Sequence, residues 1–137
     1  MNLGAGGIII KNNAVLLILR KNTSTFDKVW TNPGGKSELN EIPEQTAVRE
    51  LREEIGIETR ILRRIDDYAH MNNGKLEGIF TGYLVEILRG EPRIMMPDKI
   101  DKMDYFPLDN LPANLAPFTR RYLDILIEEK RQKTMIY

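Results

Sequence analysis

The residues best suited to chemistry lie in one stretch: Glu41, Arg49, Glu50, Glu53 and Glu54, preceded by Gly34, Gly35 and Lys36. Glu50, Glu53 and Glu54 are spaced i, i+3 and i+4. On a helix they share a sector about 100° wide, with Cβ atoms roughly 5–6 Å apart. At an effective dielectric near 20, each pair would repel by about 3 kcal/mol before solvent screening. A divalent cation would turn that repulsion into ligation by hard oxygen donors. The competing description is a solvated acidic face, with Arg49 and Arg52 as partial counterions. The two glycines upstream weigh against it, because they open a loop where backbone groups can approach a ligand closely.

Composition narrows the chemistry further. The chain has no Cys, so it can offer neither a disulfide nor a thiolate, and its one His is His70. A multi-His metal site is therefore excluded, and any ion is held mainly by oxygen, as Mg²⁺ or Mn²⁺ rather than zinc. The 20 Lys and Arg balance the 20 Asp and Glu. A chain without basic excess is a poor counterion for duplex nucleic acid. At 137 residues, 42% apolar and 29% charged, one domain over 1–137 is expected. No apolar run approaches the roughly 20 residues of a membrane span. Met1 to Ile10 lacks the basic region of a signal peptide, so the expected compartment is the cytoplasm. A P-loop ending in Gly35-Lys36-Ser37 would need glycine where Trp30 stands, so that reading fails.

The elements that must position these residues are legible in outline. Pro43 to Ile55 is helical in pattern. Pro43 suits the first turn and Gly56 the stop. Its apolar sector, Ala47, Val48, Leu51 and Ile55, is separate from the acidic one. Gly4–Ile10 and Ala14–Leu19 read as a hairpin about Lys11-Asn12-Asn13, with the second strand buried on both faces. Lys21 to Lys28 is a loop, and Trp30 to Gly35 turns sharply. Ile57–Met71 and Lys75–Leu88 flank Asn72-Asn73-Gly74, a strong hairpin signal. Both faces of the second run are apolar, as a central strand requires. Gly90 to Lys102 reads as loop, Met103 to Pro107 as a short strand, and Pro117 to about Lys130 as a helix. Residues 131–137 are expected to be a loose tail. The mixture argues an α+β sandwich, a mixed sheet with flanking helices.

The pattern Gly35, Glu41, Arg49, Glu50, Leu51, Glu53, Glu54, Gly56, Ile57 fits every defined position of the Nudix box. Trp30 to Lys36 looks like that family's lead-in, and Asp104 to Pro112 resembles its late segment. The resemblance covers nearly the whole chain. It implies the Nudix α/β/α sandwich and hydrolysis of a nucleoside diphosphate linked to another group. It also implies that Glu53 and Glu54 ligate metal, that Glu50 is a further ligand or the base, and that the Gly34 carbonyl is an added ligand. Arg49 would orient a box glutamate, Glu41 would fix the loop against the helix, and Lys36 would contact a phosphate. Mg²⁺ is the implied cofactor, with Mn²⁺ as substitute.

Many members add an acid from a later loop. Here Met96 occupies the usual glutamate position, so Asp98 or Asp101 substitutes, or Glu50 alone suffices; Asp98 is the candidate. His70 is read as an ordinary strand-end histidine with no part in the chemistry. The sugar-nucleotide Pro is replaced by Asn72, the stretch Asn73-Gly74-Lys75 lacks the dinucleoside Tyr, and a coenzyme A signature is absent. The chain therefore looks most like the nucleoside triphosphate pyrophosphohydrolases. ADP-ribose or a nucleotide sugar is the alternative substrate, and a non-catalytic nucleotide-sensing module the alternative class. Thr31 and the segment Asn114 to Phe118 would border the base, with Phe118 able to stack on it. The implied partner is a small nucleotide, with no membrane or duplex nucleic acid. A homodimer is left open.

Overall fold

The run Val15-Leu16-Leu17-Ile18 has no polar face, and all four side chains are buried. In the computed structural model, which describes residues 1–23 and 26–136, they form the middle of β3 (Ala14–Arg20). As expected, both faces of β3 are covered. Its antiparallel partners are β2 (Ile10–Lys11), β4 (Trp30–Thr31) and β8 (Ile100–Pro107). β8 thus begins earlier than the expected Met103.

The turn before β3 is tight, with Asn12 and Asn13 at φ of 52° and 63°, a conformation Asn tolerates. Only Ile10 and Lys11 belong to that hairpin, however. The expected pairing of Gly4–Ile10 with Ala14–Leu19 is not formed, because β1 (Asn2–Ile8) leaves for a second sheet of order β5-β1-β7-β6. β5 is Gly34–Lys36, β6 is Glu58–Asn72 and β7 is Lys75–Arg89. The glycines of β1 explain the choice. A Cβ on Gly4 would lie 2.8 Å from the Gly35 carbonyl oxygen, and one on Gly6 only 2.4 Å from that of Pro33. Bare backbone lets the glycine loop press against β1.

β1 runs parallel to β7 from Asn2↔Gly78 to Ile8↔Leu84, and antiparallel to β5. β6 and β7 form the expected hairpin through Asn73 and Gly74, both with left-handed φ. β7 is therefore central, and its side chains alternate between two cores. Tyr83 and Val85 pack under α1 (Pro43–Ile55) with Ala47, Leu51, Ile55 and Ile57. On the other face lies α2 (Pro117–Ile136), whose Tyr122 and Leu123 join Ile8, Val15, Leu17 and Ile65. Tyr122 seats its ring on Gly82, where a Cβ would come within 2.6 Å of it. Its hydroxyl donates to the Phe80 carbonyl at 2.6 Å. Helix, sheet and helix thus stack as an α/β/α sandwich.

α2 continues past Lys130 to Ile136, where the sequence suggests a loose tail from 131. No Gly or Pro interrupts the segment, and Arg131 pairs with Glu128 one turn back at 3.0 Å. Such i,i+3 pairs favour continued helix.

Candidate active site

α1 starts and stops as its sequence dictates. Pro43 occupies the first turn, and the Ile42 N–H donates to Gln45 Oε1 at 3.1 Å. Gly56 adopts φ 71° and returns its N–H to the Arg52 carbonyl at 3.0 Å. Between these ends the acidic sector meets the Gly34–Gly35 strand, and two arginines interleave with it.

Arg49 is the hub of the exposed side. Its Nε and Nη2 donate to both oxygens of Glu41, at 2.7 and 3.0 Å. Nη1 donates to Glu50 at 2.9 Å and Glu53 at 3.1 Å, and Nη2 also reaches the Lys36 carbonyl at 2.9 Å. Glu41 further accepts the Thr46 hydroxyl at 2.7 Å and the Glu38 N–H at 3.0 Å. With the guanidinium as the main cause, its carboxyl is pulled down to about 2. Glu41 pushes Arg49 the opposite way. Loop and helix are therefore tied by charge-assisted bonds.

Glu50 lies deeper. A Cβ on Gly35 would sit 2.5 Å from its carboxyl carbon, so only glycine leaves room for it. Burial raises the Glu50 carboxyl above its ordinary range, the nearby Glu54 adds to the rise, and Arg49 opposes it. Glu53 is half exposed, at 49%.

Glu54 is more enclosed still, 7% exposed, and accepts the Gly34 N–H at 2.8 Å. Its counter-ion is Arg20, at the end of β3. Nη1 donates to Glu54 at 2.8 Å, Nη2 to the Gly34 carbonyl at 2.8 Å, and Nε to the Thr31 hydroxyl at 3.0 Å. Sequence reasoning misses Arg20. Its one signal is position: a charge closing an all-apolar strand, where burial demands a partner.

The other expected residues are placed as follows. Gly34 contributes both backbone groups to this junction. The Lys36 side chain is exposed at its edge. Thr31 is fully buried, with its hydroxyl given to Arg20 rather than to open space. Phe118 packs beside the α2 core and joins a ring cluster, with Phe26 at 5.2 Å and Phe80 at 5.4 Å. His70 stacks on Phe80 at 5.7 Å and lies 3.8 Å from Glu77, away from the box. Asp98 is exposed, and among the described residues its carboxylate makes no hydrogen bond to a box glutamate. Met96 packs against the α1 core.

Among the described residues, no three acidic side chains yet converge on one point as ligands around an ion. Each box carboxylate is instead paired with an arginine. The donor set still suits a hard cation: three carboxylates and one carbonyl, two of the carboxylates largely desolvated, with no nitrogen or sulfur among them. A cleft of about 440 Å³ beside Lys11, Glu91 and Tyr105 and one of about 310 Å³ beside Arg64, Asp67 and Tyr83 contain none of these groups. The convergence of paired charges, rather than cleft size, marks the site.

The box helix, the glycine strand facing it and the α/β/α sandwich together define a NUDIX domain. That domain matches residues 1–126, and the chain belongs to this family. It is similar to the 8-oxo-dGTP diphosphatase of Proteus vulgaris, 43% identical over 70 residues, covering 51% of this chain and 62% of that protein. It is also similar to an ADP-ribose pyrophosphatase of Methanocaldococcus jannaschii, 31% identical over 107 residues, covering 77% of this chain and 62% of that one. The chain thus spans about three fifths of each relative's length. The crystal structure of a MutT NUDIX hydrolase from Burkholderia pseudomallei superposes with a TM-score of 0.82 at 33% identity, covering 90% of this chain and 95% of that one. Members of the family generally use divalent metal ions. Among the described residues, no helix is long and apolar enough to cross a membrane.

Proposed function

We propose that the protein hydrolyses a (deoxy)nucleoside triphosphate to the monophosphate and pyrophosphate. The observation that carries this reading is the placement of Glu50, Glu53 and Glu54 on α1 against the Gly34–Gly35 backbone, with Glu50 buried and its carboxyl raised. Gly34 through its carbonyl, with Glu50, Glu53 and Glu54, would hold the ion, Mg²⁺ with Mn²⁺ as substitute. When bound, the ion supplies positive charge where the anhydride's own negative charge repels the attacking water.

The chain's residues do the rest. Glu50 takes the proton from the water. Its carboxylate is held in place against Gly35 and by Arg49, which suits a positioned base. Arg49 fixes Glu50 and Glu53 in place. Lys36 meets a phosphate at the rim, and Phe118 offers a ring face to the base. Asp98 stands in the loop where many members carry an assisting acid. Glu50, inside the box and against the Gly35 backbone, is the better placed base.

ADP-ribose is the second reading, favoured by the similarity to the Methanocaldococcus jannaschii protein over 77% of this chain. A non-catalytic sensing role is disfavoured by the intact carboxylate set.

The test is a nucleotide panel with Mg²⁺ in ¹⁸O water, scored by product. Pyrophosphate release from triphosphates, abolished by a chelator, is the expected result. Inorganic phosphate with a diphosphate co-product would refute it. Turnover of ADP-ribose alone, giving AMP and ribose phosphate, would hand the function to the second reading. In the same assay, Asp98→Asn should leave kcat within about threefold, whereas loss of the general base would cost about a hundredfold or more.

A further inference from the structure

We propose that Arg20 is the resident counter-ion of the metal site, a positioning residue that holds Glu54 and the Gly34 carbonyl in register and is exchanged for the incoming cation. One guanidinium bridges the Glu54 carboxylate and the Gly34 carbonyl oxygen, each at 2.8 Å. These are two of the donors assigned above to the ion, and the inference rests on the proposed function in that respect alone. A planar fork matches two oxygen acceptors at once, which a lysine ammonium does less well.

The guanidinium and a divalent ion compete for the same two oxygens. Arg20 is 16% exposed and Glu54 7%. A divalent ion sharing those oxygens would lie within a few ångströms of the guanidinium, where little solvent screens the repulsion. Arg49 cannot take over the role, because its donors are committed to Glu41, Glu50, Glu53 and the Lys36 carbonyl. Among the described residues, Arg20 is the sole cationic side chain paired with Glu54.

The geometry also provides for the exchange. Nε donates to the buried Thr31 hydroxyl at 3.0 Å. That bond can persist while Nη1 and Nη2 swing off their acceptors. Thr31, read from sequence as a border of the base pocket, becomes the pivot of this movement.

Competition and simple structural support predict opposite changes in metal affinity. If Arg20 competes, removing it tightens metal binding, although it also loosens the metal-free fold. If Arg20 only supports the site, removing it weakens both. The experiment uses the full chain without substrate. Mn²⁺ binding is followed by the electron paramagnetic resonance signal of the free ion, for wild type, Arg20→Met, Arg20→Lys and Glu54→Gln. The expected result is Mn²⁺ binding about tenfold tighter in Arg20→Met, the change that removing about 1.4 kcal/mol of competition for the site produces. Its metal-free Tm falls, and Mn²⁺ recovers more of the Tm than in wild type. Arg20→Lys, which keeps the charge but not the fork, falls between.

A folded Arg20→Met, judged by its circular dichroism, with unchanged or weaker Mn²⁺ affinity would overturn the exchange. Should Arg20→Met not fold, Arg20→Lys decides in the same way. Failure of the underlying assignment looks different: Glu54→Gln would bind Mn²⁺ as tightly as wild type does. If only the exchange is wrong, Glu54→Gln loses affinity and wild type hydrolyses nucleotides as proposed.

Discussion

Two neighbouring glutamates on α1 should respond oppositely to the same substitution. By the sequence alone, mutual repulsion dominates, so Glu54→Gln would be expected to hold or raise the Tm. The structure reverses that sign, because Glu54 is the partner of a largely buried Arg20 and of the Gly34 N–H. An amide keeps one acceptor oxygen and presents a nitrogen to the other donor. A hydrogen bond to a charged group contributes about 1.5–3 kcal/mol, and breaking a buried pair outright costs about 3–5 kcal/mol. Retention of one bond puts Glu54→Gln near about 2 kcal/mol of destabilisation. For a domain of this size that lowers the Tm by about 7 °C.

Glu50 differs because burial and Glu54 raise its carboxyl. A raised carboxyl favours the fold below its unfolded pKa, and that contribution is lost as pH climbs through the folded value. At neutral pH the ionised form is therefore a liability. Burial of the charge, added to by Glu54 and partly offset by Arg49, leaves roughly 1 kcal/mol for Glu50→Gln to recover. The expected rise is about 3–4 °C. Calorimetry in EDTA from pH 5 to 8 measures both, and the Glu50→Gln gain should shrink toward the acid end. Shifts of the same sign in the two variants would refute this account of which carboxylate is paired and which is strained.

The glycines give sharper tests of the site's shape. Gly35→Ala would drive a methyl to within 2.5–2.7 Å of the Glu50 carboxyl atoms. Because that side chain can swing away, turnover should fall by about a hundredfold with little change in Tm. Gly82→Ala meets the Tyr122 ring at 2.6 Å, deep in the second core. It should cost about 1–3 kcal/mol in urea unfolding. Glu41, held to about 2 against an ordinary 4.5, contributes stability above pH 4.5 that is lost as pH falls toward 2. Glu41→Gln should flatten that acid limb, seen by denaturant titration at pH 7, 4 and 3.

What was legible in the sequence is what neighbours in the chain decide. Pro43 and Gly56 bound α1, and Asn73-Gly74 closes the β6–β7 hairpin, because caps and turns act within a few residues. The alternation in β7 placed it at the centre. The partner of β1 was not legible. Asn12-Asn13 advertises a hairpin, and nothing local says that Gly4 to Ile8 will pair with Phe80 to Leu84 instead. Arg20 escaped for the same reason, since its partners Glu54, Gly34 and Thr31 all come from other elements. The box carried the carboxylates by residue type and spacing. Their differing environments, one paired with Arg20, one pressed against Gly35 and one half exposed, follow from how β5 meets α1.

The long-range register of the sheets also governs when the site comes into being. β1 and β7 pair across more than half the chain, as do β3 and β8. Chain closure must precede the contacts that reward it, so such a topology folds on the order of milliseconds to seconds rather than microseconds. β5 is held in its sheet by β1 alone. The glycine strand therefore takes its place against α1 only once β1 has paired with it. α1 lies earlier in the chain and can form while its glutamates are still hydrated. The desolvation that lifts Glu50 is thus a tertiary effect, present only when the strand beneath it is docked.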